Sequence, residues 1–238
     1  MSVPGAEVLR VSKLHAYYGE SHILQGVDFV VHRGELVTLL GRNGAGRTTT
    51  LRAILGMVDR RSGSIVVKGR ETVGLPTYRI ARLGLGYCPE ERGIFASLSA
   101  HENLMLPPLI GKGGMSVEEL YQMFPNIADR RKTSSGAKLS GGEQQMLALA
   151  RILRTGADIL LLDEITEGLA PVIVNALEVS ICALKRRGYT IVLVEQNFLF
   201  TQDIADRHYV IEHGRVLHAI DRADLQSEAP RLQRLLGL

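Results

Sequence analysis

The sequence lacks most features of secreted, membrane-spanning or nucleic-acid-binding proteins. It has only two cysteines, Cys88 and Cys182, without the spacing of a metal site, so we expect no disulfide framework and a reducing compartment. No run of 18 or more apolar residues is present, and residues 1–13 lack the apolar core of a signal peptide. The net charge of +3 is too small to indicate nucleic acid as a partner. We therefore expect a cytoplasmic protein that can still sit on a membrane partner.

What is present is an alternation of short apolar runs and helical patterns. The 238 residues are 45% hydrophobic, which suits one α/β domain or one domain with a small insertion. Expected strands are 8–18, 27–31, 35–41, 62–70, 157–165, 190–196 and 208–218, and expected helices are 47–57, 171–187 and 198–206. Buried strands that alternate with helices predict a mainly parallel sheet with helices on its faces.

The middle of the chain, about 75 to 135, differs from the rest. It has short helical patterns, a break at Pro107 and Pro108, and a glycine-rich loop at 111–114. We interpret it as a helical insertion. Ligands of mainly parallel sheets bind beyond the carboxyl ends of the strands, so the site is expected at that edge.

A glycine-rich loop follows the apolar run 35–41 and leads into an expected helix. It fits the phosphate-binding pattern G-x-x-x-x-G-K-[ST] at all points but one, where Arg47 replaces the lysine. Glycines allow backbone N–H groups to approach phosphate oxygens, and the helix adds the positive end of its dipole. Thr48 offers a hydroxyl to Mg²⁺. The candidate nucleotide-binding residues are Gly41, Arg42, Asn43, Gly44, Ala45, Gly46, Arg47, Thr48 and Thr49.

Two acidic residues follow the apolar run of LLLDE at 160–164. Asp163 at a strand end can hold Mg²⁺, and Glu164 beside it can orient or deprotonate an attacking water. Taken alone, such a pair is more often a loop start or a helix cap. The glycine loop earlier in the chain favours the catalytic interpretation.

The stretch LSGGEQQ at 139–145 predicts a helix start. Ser140 and Glu143 have the spacing of a capping box. A cap alone does not explain Gly141 and Gly142, which weaken the first helical turn. Their bare backbone amides would make a second anion site.

Together these motifs resemble the ATP-binding subunits of ABC transporters, along essentially the whole chain. GRNGAGRT resembles the Walker A loop, LSGGEQQ the family signature and LLLDE the Walker B strand. The resemblance implies a P-loop NTPase fold of the ABC ATPase type, with a mainly parallel core, an antiparallel β subdomain and a helical subdomain at about 91–155. Residues 1–238 would form a single ATP-binding domain. ATP and Mg²⁺ would lie between the Walker A loop of one subunit and Ser140, Gly141, Gly142 and Glu143 of another.

The resemblance also implies roles for three further residues. Tyr18 occupies the position of an aromatic that stacks on adenine, although a lone tyrosine at a strand end is otherwise more often packing. Glu90 occupies the Q-loop position, with a metal role. Gln196 occupies the catalytic switch position. Those positions usually hold glutamine and histidine. Acidic Glu90 and amide Gln196 are normal in the second ATPase of branched-chain amino acid importers, which the PEER, EGLAP and VEQN stretches resemble.

The resemblance implies an ATP-hydrolysing subunit of an importer for branched-chain or related amino acids. Its partners would be membrane permease subunits, a second ATPase that is a paralogue or an identical copy, and indirectly a periplasmic binding protein. The subunit would be cytoplasmic and peripheral on the inner face of the membrane. Two alternatives stay open: an ATP sensor with little hydrolysis, suggested by Arg47 and Gln196, and a non-transport ABC ATPase. Ile165, where proline commonly follows the glutamate, has no firm explanation.

Overall fold

A computed structural model describes residues 5–131 and 135–236. Residues 1–4, part of the segment in which we found no signal peptide, lie outside the described residues. The strands are β1 Glu7–Tyr18, β2 Ser21–His32, β3 Leu36–Leu40, β4 Arg60–Val67, β5 Arg70–Glu71, β6 Leu85–Cys88, β7 Ile159–Asp163, β8 Thr190–Val194, β9 Arg207–Glu212 and β10 Arg215–Asp221. The helices are α1 Arg47–Leu55, α2 Thr77–Ala81, α3 Ala100–Met105, α4 Val117–Met123, α5 Pro125–Asp129, α6 Gly141–Arg154, α7 Pro171–Arg186, α8 Phe198–Thr201 and α9 Leu225–Leu236.

The main sheet has six strands in the order β10-β9-β3-β8-β7-β6. All neighbours are parallel except the edge pair β9 and β10. Strands β3, β7 and β8 are buried along their whole length, which explains their continuous apolar sequences. Alternate side chains of β7 belong to different clusters: Leu160 and Leu162 to one, Ile159 and Leu161 to the other. The predicted mainly parallel core is confirmed.

A second, antiparallel sheet has the order β2-β1-β4-β5. Its apolar side chains share one cluster with helix α1 and one face of the main sheet. Helices α3 to α6 come between β6 and β7 in the chain and pack into the cluster on the opposite face. Within residues 5–131 and 135–236, each helix is too short or too polar to span a bilayer.

Four expected elements differ from the structure. The expected helical stretch from about 75 to 135 contains strand β6, which pairs with β7 in the main sheet. Four residues are too short to show a period, and Gly86 lets the strand pack closely, since a Cβ there would lie 2.9 Å from that of Ala157. The helix expected at 198–206 ends at Thr201, because Asp206 already binds β3 through its N–H to Leu36 O at 2.8 Å.

The expected single strand at 208–218 is the hairpin β9–β10. Its turn residues His213 and Gly214 have φ of 47° and 71°, as a two-residue type I′ turn requires. The expected strand 62–70 turns in the same way at Lys68 and Gly69, with φ of 49° and 79°. Helix α9 was not predicted. The remaining expected strands and helices are found. Strand β2 begins at Ser21, well before the expected start at 27, and the ends of the others differ by one or two residues.

Candidate functional site

The glycine loop joins the carboxyl end of β3 to the start of α1, as the sequence predicted. Gly44 and Gly46 have φ of 78° and 106°, which L side chains rarely adopt. Packing also requires glycine: a Cβ on Gly41 would lie 2.3 Å from Ile211 O, and one on Gly46 would lie 2.8 Å from the Leu24 side chain. The hairpin tip supports the loop from below, since the Gly214 N–H donates to Ala45 O at 2.9 Å.

An open cleft of about 410 Å³ lies over this loop. Most of the predicted nucleotide-binding residues line it. The lining residues are Tyr18, Ile23, Asn43, Gly44, Ala45, Gly46, Arg47, Thr48, Thr49, Glu90, Glu164 and Glu167. The N-cap residue of helix α1 is Gly46, which provides no side-chain cap, so the first turn of the helix offers backbone N–H groups to an anion.

Arg47 is buried in the wall of the cleft, with only 4% of its side chain exposed. Its Nη2 donates to Asn43 Oδ1 at 3.0 Å and to Glu164 Oε1 at 2.7 Å. Its Nη1 is buried and has no hydrogen-bond partner among the described residues. A buried N–H without an acceptor is costly, so this nitrogen fits an anionic group such as phosphate.

Two predicted metal residues contact each other directly. The Thr48 hydroxyl donates to Asp163 Oδ1 at 2.9 Å, and the Tyr87 hydroxyl donates to Asp163 Oδ2 at 2.9 Å. Burial raises the pKa of Asp163, while the two hydroxyl donors lower it. Hydroxyl and carboxylate oxygens are the ligands that Mg²⁺ prefers, so this pair fits the ion. Tyr87 was missed from the sequence, because nothing in β6 marks its hydroxyl as facing Asp163.

Three glutamates converge at the mouth of the cleft. Carboxylate oxygens of Glu90, Glu164 and Glu167 lie within 4.8 Å of one another. Burial, and then a hydrogen bond with Glu167, raise the pKa of Glu164 to about 7, while Arg47 opposes the shift. Burial and the charge of Glu167 also raise the pKa of Glu90. Glu167 was not predicted as a site residue, although its position three residues after Glu164 could have indicated it.

The signature residues lie apart from this cleft. Ser140 caps α6, with Glu143 N–H donating to Ser140 Oγ at 3.3 Å and Ser140 N–H donating to Glu143 Oε2 at 2.7 Å, so the capping box is confirmed. A Cβ on Gly142 would lie 2.8 Å from Ile173 of α7. One on Gly141 would lie 3.3 Å from the Arg92 guanidinium. Packing against α7 therefore explains Gly142 without any ligand, a reason that the sequence did not show.

Besides the signature residues, four predicted residues do not line the cleft. Gly41 is buried beneath the loop, Asp163 is buried behind Thr48, and Arg42 and Gln196 are exposed elsewhere. The neighbour of Gln196, Glu195, is 2% exposed and accepts from the Thr166 N–H at 3.1 Å and the Thr166 hydroxyl at 2.9 Å. Burial raises the pKa of Glu195 to about 7. The catalytic role of Gln196 stays a prediction.

Comparison with known proteins agrees with this geometry. The family model described as ABC transporter matches residues 24–167. The high-affinity branched-chain amino acid transport ATP-binding protein BraG of Pseudomonas aeruginosa is 39% identical over 88% of this chain and 91% of its own. The probable branched-chain amino acid transport ATP-binding protein LivF of Archaeoglobus fulgidus is 35% identical over 88% and 90%.

Other similar proteins are named as export subunits. The lipopolysaccharide export system ATP-binding protein LptB of Haemophilus influenzae is 33% identical over 88% of this chain and 89% of its own. In fold, the crystal structure of a nucleotide-free ATP-binding cassette from an ABC transporter superposes with a TM-score of 0.81 over 98% of this chain and 99% of its own, at 20% identity.

The glycine loop, Thr48 and Glu164 thus line one cleft, and Asp163 accepts a hydrogen bond from Thr48 behind its wall, in a fold shared with ATP-binding cassettes. The family model covers more than half of the chain, and transport subunits match nearly its full length. The chain belongs to the ABC transporter family, as an ATP-hydrolysing, ATP-binding subunit.

Proposed function

We propose that the chain powers an importer for branched-chain or related amino acids. The observation that carries this proposal is the 39% identity to BraG over 88% of the chain, combined with the cleft at which Arg47 and Glu164 meet. Acidic Glu90 in the cleft wall and Gln196 after β8 fit the same branch of the family. The LptB relatives are less identical, at 33% or below among those compared.

Residue roles follow from the geometry of the cleft. The loop amides of residues 43–49 and Arg47 Nη1 would hold the phosphates, and Tyr18 would stack on adenine. Thr48 and Asp163 would hold Mg²⁺, with Glu90 nearby. Glu164 would accept a proton from the attacking water as general base. Mg²⁺, when bound, would neutralise charge on the phosphates.

The first turn of α6 would complete the site of a second subunit. Ser140 and the backbone N–H groups of Gly141 and Gly142 do not line their own chain's cleft. A helix N-terminus attracts anions, so these groups would meet ATP held by a second ATPase, a paralogue or an identical copy. Membrane permease subunits would dock on the helical part at about 91–155 and keep the subunit on the cytoplasmic face, and a periplasmic binding protein would deliver the substrate.

Reconstitution tests this function. The chain would be co-expressed with the permease and second ATPase subunits of a branched-chain amino acid importer and placed in vesicles containing the binding protein. We expect leucine, isoleucine or valine on the binding-protein side to raise phosphate release and to accumulate across the membrane. Stimulation by lipopolysaccharide and not by any amino acid would assign the chain to export instead.

A second candidate is an ATP sensor with little hydrolysis. The pairing of Arg47 with Glu164 favours the sensor, because the side chain expected to bind phosphate is instead hydrogen-bonded to the candidate general base. Vesicles in which ATP binds but phosphate release stays at background, with and without amino acid, would support the sensor and reject the importer ATPase.

A further inference from the structure

Arg47 is the residue at which the loop departs from its family pattern, and the two terminal nitrogens of its guanidinium group differ in their hydrogen bonds. Its Nη2 donates to Asn43 Oδ1 at 3.0 Å and to Glu164 Oε1 at 2.7 Å. Its Nη1 is buried and has no acceptor among the described residues. One nitrogen is therefore committed to the candidate base, while the other has no partner.

Glu164 is held in an unfavourable backbone conformation. Its φ is 46°, in the left-handed region that non-glycine residues rarely adopt. Such a conformation persists only where contacts with the surrounding structure hold the residue in place. Here the backbone N–H donates to Val194 O at 2.9 Å, and Arg47 holds the carboxylate from the other side. Arg47 is thus one of the contacts that fix Glu164 in place.

We propose that the Arg47–Glu164 ion pair is a latch of the nucleotide-free chain, in which Arg47 positions Glu164 and incoming phosphate has to displace it. This inference rests on the proposed function, because the competing ligand is the phosphate chain of ATP. In the nucleotide-free chain, the positive charge of Arg47, which should contact phosphate, and the negative charge of the candidate base Glu164 neutralise each other. Nucleotide binding supplies new acceptors to the guanidinium and frees the carboxylate in the same event.

Arginine suits such a latch better than lysine does. A guanidinium stays protonated and presents several N–H donors in a rigid planar fork, whereas an ammonium is a single compact centre. Nη2 alone donates to Asn43 and Glu164, which leaves Nη1 as a second donor fixed in the same plane. A lysine ammonium would have to make these contacts from a single centre without a fixed plane, so its bond to Glu164 would be less directed. We therefore expect arginine to hold Glu164 in a better defined direction than lysine would.

The test is a double-mutant cycle read out by Mg-ADP affinity, measured by calorimetry at pH 8. ADP contributes a phosphate but supports no hydrolysis, so turnover does not interfere. Glu164→Gln should tighten Mg-ADP binding roughly 10-fold in the parent chain and less than about 2-fold in the Arg47→Gln background. Arg47→Lys provides a third background, in which the gain should be about 3-fold.

The matched control is Glu167→Gln. Glu167 lines the same cleft and carries the same charge, but it forms no ion pair with Arg47 within residues 5–131 and 135–236. Its replacement should change Mg-ADP affinity by the same factor in every background. The latch is refuted if Glu164→Gln gains no more than Glu167→Gln does, or gains equally in all three backgrounds. A parent chain that does not bind Mg-ADP at all would instead refute the proposed nucleotide site.

Discussion

Helices α1 and α6 both have a glycine at or next to their first residue, but their first turns are satisfied in different ways. The N-cap of α1 is Gly46, which has no side chain to cap the helix, and the first helical residue is the buried Arg47. The N-cap of α6 is Ser140, which forms a complete capping box with Glu143, and Glu143 Oε1 accepts from Arg130 Nε at 2.8 Å. The first turn of α1 therefore has backbone N–H groups free to bind a ligand in its own cleft, whereas the first turn of α6 is capped by its own side chains. The difference teaches that glycines at helix starts can be required for different physical reasons.

The largest effect should come from removing the candidate general base from the cleft at the start of α1. Glu164→Gln removes the candidate base, so phosphate release should fall by roughly 10²–10⁴-fold while ATP still binds. Turnover of the reconstituted complex and equilibrium ATP binding measure the two quantities. Glu91→Gln, an exposed neighbour paired with Arg52 outside the cleft lining, is the control and should keep its turnover. Unchanged turnover in Glu164→Gln would reject the role.

The next largest effect concerns the cation at the start of α1. Arg47→Ala removes a charged donor, and Mg-ATP affinity should fall on the order of 10–100-fold. Arg42→Ala, in the same loop but outside the cleft lining, should cost about 3-fold or less. Calorimetric titration compares the two. Equal affinity of Arg47→Ala and the parent chain would show that Arg47 does not touch the phosphates.

On the α6 side, neighbouring glycines should respond in opposite ways. Gly142→Ala forces a Cβ to within 2.8 Å of Ile173, so the free energy of unfolding should fall by about 1–3 kcal/mol. Gly141→Ala meets only the flexible Arg92 side chain and should gain about 0.5–1 kcal/mol from helix propensity. Urea denaturation measures both. Ile173→Ala should partly rescue Gly142→Ala, and the absence of rescue would contradict the packing explanation.

The smallest effect should come from the cap itself. Ser140→Ala leaves the Glu143 N–H without its acceptor, and the free energy of unfolding should fall by about 1 kcal/mol. Ser140→Thr keeps the hydroxyl and serves as the control. A cap contribution is disproved if both substitutions leave the urea midpoint where it was.

Features encoded in one short segment could be predicted from the sequence, because their hydrophobic pattern and their turn or capping residues lie close together. Examples are β3, β7, the loop before α1 and the capping box of α6. Strand β6 and the turns at Lys68 and His213 escaped, since four-residue strands show no period and non-glycine turn residues leave a weak signal.

Side chains recruited by tertiary contacts could not be predicted in the same way. The sequence places Tyr87 far from Asp163 and Glu195 far from Thr166, and only the sheet brings them together. The reason for Gly142 likewise lies on another helix. Sequence reasoning found the correct residue there but did not see Ile173, which supplies the physical constraint.

The tip of the β9–β10 hairpin affects which amino-acid substitutions the protein can tolerate. Gly214 donates to Ala45 O at 2.9 Å and accepts from Gln25 N–H at 2.8 Å, and a Cβ there would lie 2.1 Å from Ile23 O. One glycine thus joins the phosphate loop to the antiparallel sheet. In a library of random variants under selection for transport, substitutions at position 214 should be lost as completely as those at Gly46. The positions at which a substitution disables the nucleotide site should therefore include one that lies far from the glycine loop in the sequence.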